Sequence, residues 1–168
     1  PCAPPHRAQL GTSPAAPAAP AGKGLRVALF AACYNDTMWP GTPIATVKIL
    51  ERLGCRVEFP RKQTCCGQIF TNTGYAAEAL PLVRGFVETF AAYDAVVAPT
   101  GSCVGAIRHQ HHDLAAGAGD APLTRAVAAL TPKISALSAF LVDVPGGTDV
   151  GANFPPQGTL HPPGHAGR

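Results

Sequence analysis

Four cysteines, Cys33, the adjacent Cys65-Cys66 and Cys103, are the residues of this chain best suited to chemistry. Thiolates bind soft metals, carry iron–sulfur clusters and exchange disulfides. Neighbouring cysteines rarely bond to one another, because the eight-membered ring strains the peptide between them. A vicinal pair in a glycine-containing loop therefore reads as ligating or reactive, against the plainer reading of two small buried residues. With Cys33 and Cys103 at the same place, ligation is favoured. Four thiolates suit zinc as well as iron, although the paired C-x-x-C knuckles of zinc sites are absent.

The elements around these cysteines explain why they should meet. Residues 25–32 (LRVALFAA) form an apolar run that predicts a buried parallel strand. A helix is expected over 42–53, with Thr42 as N-cap, Pro43 at its first position and Gly54 beyond its end. Residues 55–59 predict a second strand and residues 60–73 a loop carrying Cys65-Cys66-Gly67. A helix is expected over 75–92, broken or kinked at Pro81. Residues 94–98 predict a third strand, and a short helix follows from near Ser102 toward His109. Residues 113–121 read as loop. Leu123, Val127, Leu130, Ile134, Leu137 and Leu141 then recur at helical spacing, which predicts one amphipathic helix bent at Pro132.

Alternating strands and helices predict an α/β fold: an open parallel sheet covered by helices in three layers. Each cysteine of the set follows a strand. In open parallel sheets the crevice beyond the carboxyl ends of the strands is where ligands bind. Gly67 and Gly101 would let backbone approach a cofactor closely and offer amide donors, with Ser102 beside them. Cys103 would stand at a helix N-terminus, where the dipole favours thiolate. Cys55 is expected inside an element and Cys2 in a tail, so both are set aside.

Composition bounds the rest. The 168 residues carry a formal net charge of +3 with the basic residues scattered, which excludes a nucleic-acid footprint. No apolar run is long enough to span a bilayer. The first 24 residues, rich in Pro and Ala, predict a disordered tail and lack the apolar middle of a signal peptide. Residues 146–168, again rich in Gly and Pro, predict an irregular tail. A cytoplasmic location is expected, where cysteines serve metal binding or reactivity rather than structural disulfides. No nucleotide-binding loop and no Ser-His-Asp set is evident. His109, His111 and His112 read as a polar helix end, favoured by the C-terminal dipole rather than by a metal. Met38 and Trp39 are expected to shield the thiols, and Asp36 to cap a turn.

The segments RVALFAACYNDTMWPG, ATVKILERLGCRVEFPRKQTCCGQIFTNTGY and ETFAAYDAVVAPTGSCVGAIRHQ carry a specific likeness. With their cysteine spacing, residues 25–145 resemble the cysteine-rich CCG domain. That domain occurs in heterodisulfide reductases, in the iron–sulfur component of glycolate oxidase and in lactate-utilisation proteins of the A type, the last being the nearest likeness. The resemblance implies an iron–sulfur electron-transfer subunit, with one 4Fe-4S cluster on Cys33, Cys65, Cys66 and Cys103. It implies a complex oxidising L-lactate to pyruvate, with other lactate-utilisation subunits as partners, one of them ferredoxin-like. Ala106 stands where some members carry a fifth cysteine. Gly164, within His161-Pro162-Pro163-Gly164-His165, stands where a second CCG half would place another, so residues 146–168 are expected to be the remnant of that half. A metal-free thiol–disulfide protein and a non-catalytic docking module are the rival readings.

Overall fold

A computed structural model describes residues 24–143, together with residues 22, 149 and 150. The two expected tails therefore lie almost wholly outside the described residues, as do Cys2, His161, Gly164 and His165.

Four parallel strands form one sheet in the order β2-β1-β3-β4: β1 (Arg26–Leu29), β2 (Arg56–Glu58), β3 (Ala95–Ala98) and β4 (Ile134–Ala136). Alternate strand residues face opposite sides. Ala28, Phe30, Val96, Ala98 and Ile134 join a core beneath α4 (Ala76–Phe90), α5 (Gly101–Gly117) and α6 (Ala121–Leu130). Val27 and Val97 face the other side, against Leu50 of α2 (Gly41–Arg52) and Phe140 of α7 (Leu137–Asp143). Helices thus cover both faces, and the expected three-layer architecture is the one observed. Phe30 anchors the first core, with its ring edge-on to Phe86 and Phe90 at 5.3 and 5.8 Å between centroids.

The chain leaves β1 toward β2 on one side and returns to β3 on the other. The crevice between the carboxyl ends of β1 and β3 is therefore the switch point at which ligands bind in open α/β sheets.

Several local expectations need correction. Between β1 and α2, where no element was expected, Cys33–Met38 form a short helix, α1. Asp36 lies in its first turn, and no side chain caps it. Helix α2 starts at Gly41 with Pro40 as N-cap, ahead of Thr42. Proline already holds helical φ, so the helix starts earlier. Gly54 takes the left-handed conformation expected beyond its end (φ 84°). The 60–73 loop contains a further short helix, α3 (Gln68–Asn72). Pro81 lies inside α4 without interrupting it. Helix α5 continues to Gly117 through most of the expected loop, so His109, His111 and His112 sit well before its end and not at its C-terminal dipole.

The largest difference lies after α6. The helical spacing from Leu123 to Leu141 conceals a helix, a 3-10 turn at Thr131–Lys133, strand β4 and helix α7. Proline at the turn stops α6, and Ile134 then enters the sheet beside Val96. Apolar residues three or four apart fit a helix, but a turn followed by a strand can bury the same ones.

Ile134 is 1% exposed and fastens β4 to the sheet. Ile134→Ala should cost about 2–5 kcal/mol of stability, read from urea unfolding. A cost below about 1 kcal/mol would mean that β4 contributes little to the folded state.

Candidate metal and thiol centre

Cys33 opens α1 just past β1, Cys65 and Cys66 close the loop after β2, and Cys103 lies in the first turn of α5 after β3. All four therefore stand at the carboxyl rim of the sheet. They form two pairs. Cys33 Sγ lies 3.7 Å from Cys65 Sγ, and the Cys66 and Cys103 thiols hydrogen-bond to one another. All four are free thiols. The distance of 3.7 Å far exceeds a disulfide bond of about 2.05 Å. It is close to the roughly 3.8 Å between two thiolates that share one tetrahedral metal at about 2.3 Å.

The pairs differ in burial. Cys33 is exposed and Cys65 half-buried, whereas Cys66 and Cys103 are buried. A cleft of about 280 Å³ opens over the first pair, walled by Phe59, Arg61 and Thr64. Burial, aided by the hydrogen bond with Cys65, raises the Cys33 pKa. In the buried pair, Cys66 keeps its proton: the bond to Cys103 and then burial push it up. Cys103 is drawn down to about 6, first by that same bond and then, against burial, by the Thr100 and Ser102 hydroxyls. Within the second pair the proton is thus favoured on Cys66 over Cys103.

Donors converge on the sulfurs. The Tyr34 amide favours a Cys33 thiolate and the Gln68 amide a Cys66 thiolate. Gly67 N–H points at Cys65 Sγ over 3.4 Å. Gly67 has φ 84°, a conformation that glycine adopts without strain. The Thr100 hydroxyl is buried with no well-directed hydrogen bond, yet lies close enough to Cys103 to stabilise a thiolate there. A buried hydroxyl beside a sulfur, lacking any other partner, suits a site that gathers negative charge.

Four soft sulfurs with amide and hydroxyl donors around them fit an iron–sulfur cluster or zinc by their chemistry. Among the described residues, however, no three Cys, His, Asp or Glu side chains gather as a finished metal site. The thiols meet two by two. Of the expected backbone contacts, Gly67 serves Cys65, while Gly101 and Ser102 are the first two residues of α5 beside Cys103.

Two expectations at the site change. Met38 and Trp39 are 57% and 53% exposed and do not close over the thiols. Instead, Trp39 stacks at a tilt on Tyr34. Cys55 is buried in the second core cluster, away from the set, as expected. His111, assigned to a polar helix end, is 2% exposed and bonds through Nε2 to the Cys66 carbonyl at 2.8 Å. Its burial was legible: Val104, Ile107, His111 and Ala115 recur at helical spacing, and all four are buried.

Gln63 was not foreseen at all. Its carboxamide accepts from Ala31 N–H at 2.9 Å and donates to the Leu29 and Pro60 carbonyls at 3.1 and 3.0 Å. It thereby ties the loop before Cys65 to the end of β1, just before Cys33. Ala32 joins β1 to α1 with φ 59° and ψ 138°, a region that a residue bearing Cβ rarely occupies.

Comparison with known proteins agrees with this geometry. The CCG family, described as a cysteine-rich domain, matches residues 27–108. Residues 27–108, which hold β1 to β3 and all four cysteines of the set, match this family of cysteine-rich domains. The chain is also similar to proteins named Lactate utilization protein A. The one from Exiguobacterium sp. is 44% identical over 84% of this chain and 58% of its own length. That from Oceanobacillus iheyensis is 39% identical over 86% and 58%, and that from Geobacillus thermodenitrificans 38% over 86% and 59%. The chain therefore spans rather more than half the length of these relatives, matching their N-terminal part. No solved structure matches the chain.

Gln63→Ala should cost about 1–3 kcal/mol, since it strips partners from part-buried backbone groups. It should also slow disulfide formation between Cys33 and Cys65 under mild oxidant, followed by mass spectrometry. An unchanged rate would remove Gln63 from the positioning of that pair.

Ala32→Val places a branched side chain at positive φ in a buried position and should cost more than about 2 kcal/mol. Ala32→Gly should stay within about 1 kcal/mol of the parent, because relief of strain is offset by the lost methyl and the added chain entropy. Thermal unfolding of both variants checks this contrast.

Proposed function

We propose that Cys33, Cys65, Cys66 and Cys103 hold an iron–sulfur cluster, one 4Fe-4S centre, and that this chain passes electrons within a lactate-utilisation system. The observation that carries the reading is the gathering of four free thiols from three strand ends at the switch point, with amide and hydroxyl donors aimed at the sulfurs. The similarity to proteins named Lactate utilization protein A supports the setting. In that setting the work would be oxidation of L-lactate to pyruvate in the cytoplasm. The partners would be the other lactate-utilisation subunits, a ferredoxin-like iron–sulfur protein among them. Among the described residues, no helix is long and apolar enough to cross a membrane.

When bound, the cluster would supply one-electron chemistry. This chain's own residues hold the sulfurs, aim N–H and O–H groups at them and keep water from the buried pair. Hydrogen bonds to cluster sulfurs raise the reduction potential by stabilising the added negative charge. We assign that role to Gly67, whose N–H points at Cys65 Sγ, and to Gly101 and Ser102, which precede Cys103 in α5.

The 3.7 Å between Cys33 and Cys65, with the contact between Cys66 and Cys103, also favours a second reading. Metal-free, each pair could close to a disulfide by small side-chain rotations, giving a thiol–disulfide protein.

Anaerobic reconstitution with iron and sulfide separates the readings. About four iron and four sulfide per chain, with thiolate-to-iron absorption and an EPR signal on reduction, is expected. Cys33→Ser and Cys103→Ser should each cut iron uptake by more than half. Folded protein that takes up zinc but no iron would contradict the proposal. A reversible two-electron couple in metal-free protein, without iron uptake, would favour the second reading.

A further inference from the structure

His111 is buried on the inner face of α5, with its ring edge-on to Phe86 at 5.4 Å between centroids. Its Nε2 lies 2.8 Å from the Cys66 carbonyl oxygen. A carbonyl oxygen only accepts, so Nε2 carries the proton and donates it. Burial favours the neutral ring.

The carbonyl of Cys66 and the N–H of Gly67 belong to one planar trans peptide and point in opposite directions. Holding the oxygen toward α5 therefore turns the N–H the other way. That N–H meets Cys65 Sγ at 3.4 Å. One imidazole bond thus sets the orientation of the peptide that follows the vicinal pair. The positive φ of Gly67 lets the chain take that orientation.

We propose that His111 is a positioning residue that splits the vicinal cysteines, turning Cys65 toward Cys33 and Cys66 toward Cys103 through the peptide plane it holds. Without the donor, this plane is free to rotate. The Gly67 amide then leaves Cys65, and the two vicinal thiols can exchange partners. The pairing is a property of the metal-free protein, where the thiols meet one another.

Disulfide mapping in reduced, metal-free protein tests it. Limiting diamide converts two thiols to one disulfide and takes up their two electrons and two protons, and mass spectrometry then identifies the linked cysteines. The parent should form Cys33–Cys65 and Cys66–Cys103 almost alone. His111→Met should raise the crossed products, Cys33–Cys66 and Cys65–Cys103, at least five-fold. His111→Gln keeps an N–H at similar reach and should restore the parental pattern. If His111→Met does not fold by circular dichroism, His111→Asn replaces it, because its amide falls short of the carbonyl. Parental pairing in a folded Met or Asn variant would overturn the proposal, and so would crossed pairing in His111→Gln. Since no iron enters the measurement, its result is independent of reconstitution.

Discussion

Two cysteines joined by a single planar peptide rarely bond to one another, because the eight-membered ring strains that peptide. For the vicinal pair of this chain to meet separate sulfurs, the fold must supply a partner on each side. The sheet order does so. Because the chain crosses from β1 to β2 and then back past β1 to β3, the loop after β2 meets the end of β1 and the start of α5. Cys65 finds Cys33 on one flank, and Cys66 finds Cys103 on the other. Gln63 and His111 act on opposite sides of the pair, one before it and one behind it. A loop with few regular hydrogen bonds of its own is thus fixed at both ends by side chains.

The two flanks have different electrical surroundings. Behind Cys66 and Cys103 lie Phe30, Phe86, Phe90 and Ile107. A second charge there would be costly, and the pair favours its proton on Cys66 over Cys103. Over Cys33 and Cys65 the cleft admits solvent and places Arg61 at its wall. A centre spanning both flanks would have one dry side and one accessible side. That arrangement suits a carrier that holds charge while exchanging electrons with another protein.

Much of this was legible in the chain. The apolar runs that precede Cys33 and Cys103, with the short strand and loop ahead of Cys65, were enough to put the thiols at one rim. Alternation within β1 and β3 is hidden in the sequence, since both faces are covered and every position except Arg26 is apolar. The fourth strand was masked because Ile134, Leu137 and Leu141 fit a helical stripe while in fact serving a strand and a separate helix. His111 was readable from its stripe, but its neighbours His109 and His112, both exposed, made the segment look polar throughout. Gln63 gave no signal, because a polar residue in a polar loop says nothing of the backbone groups it will meet. The two-by-two pairing could not be read either, since spacing gives proximity to a rim but not the direction of a thiol.

Ala32 shows why the site is rigid where it begins. Phe30 N–H is held by the Val97 carbonyl, and Ala31 N–H is held by Gln63. The Phe30 ring is locked between Phe86 and Phe90. After these anchors the chain has one residue in which to turn from sheet to helix before Cys33. Ala32 makes that turn at positive φ, at a cost of about 1–3 kcal/mol. Glycine would avoid the cost but would leave a methyl-sized gap in the core that Ala32 helps to fill. Such strain persists only because the anchors on the β1 side are stronger than the strain itself. Cys33 is consequently placed by the sheet rather than by the short helix it opens. Its sulfur is fixed relative to β1, while Cys65 reaches it through Gln63, which bonds to the same strand. The spacing of the exposed pair is therefore set by one carboxamide and one strand end, which the α4 phenylalanines hold in place.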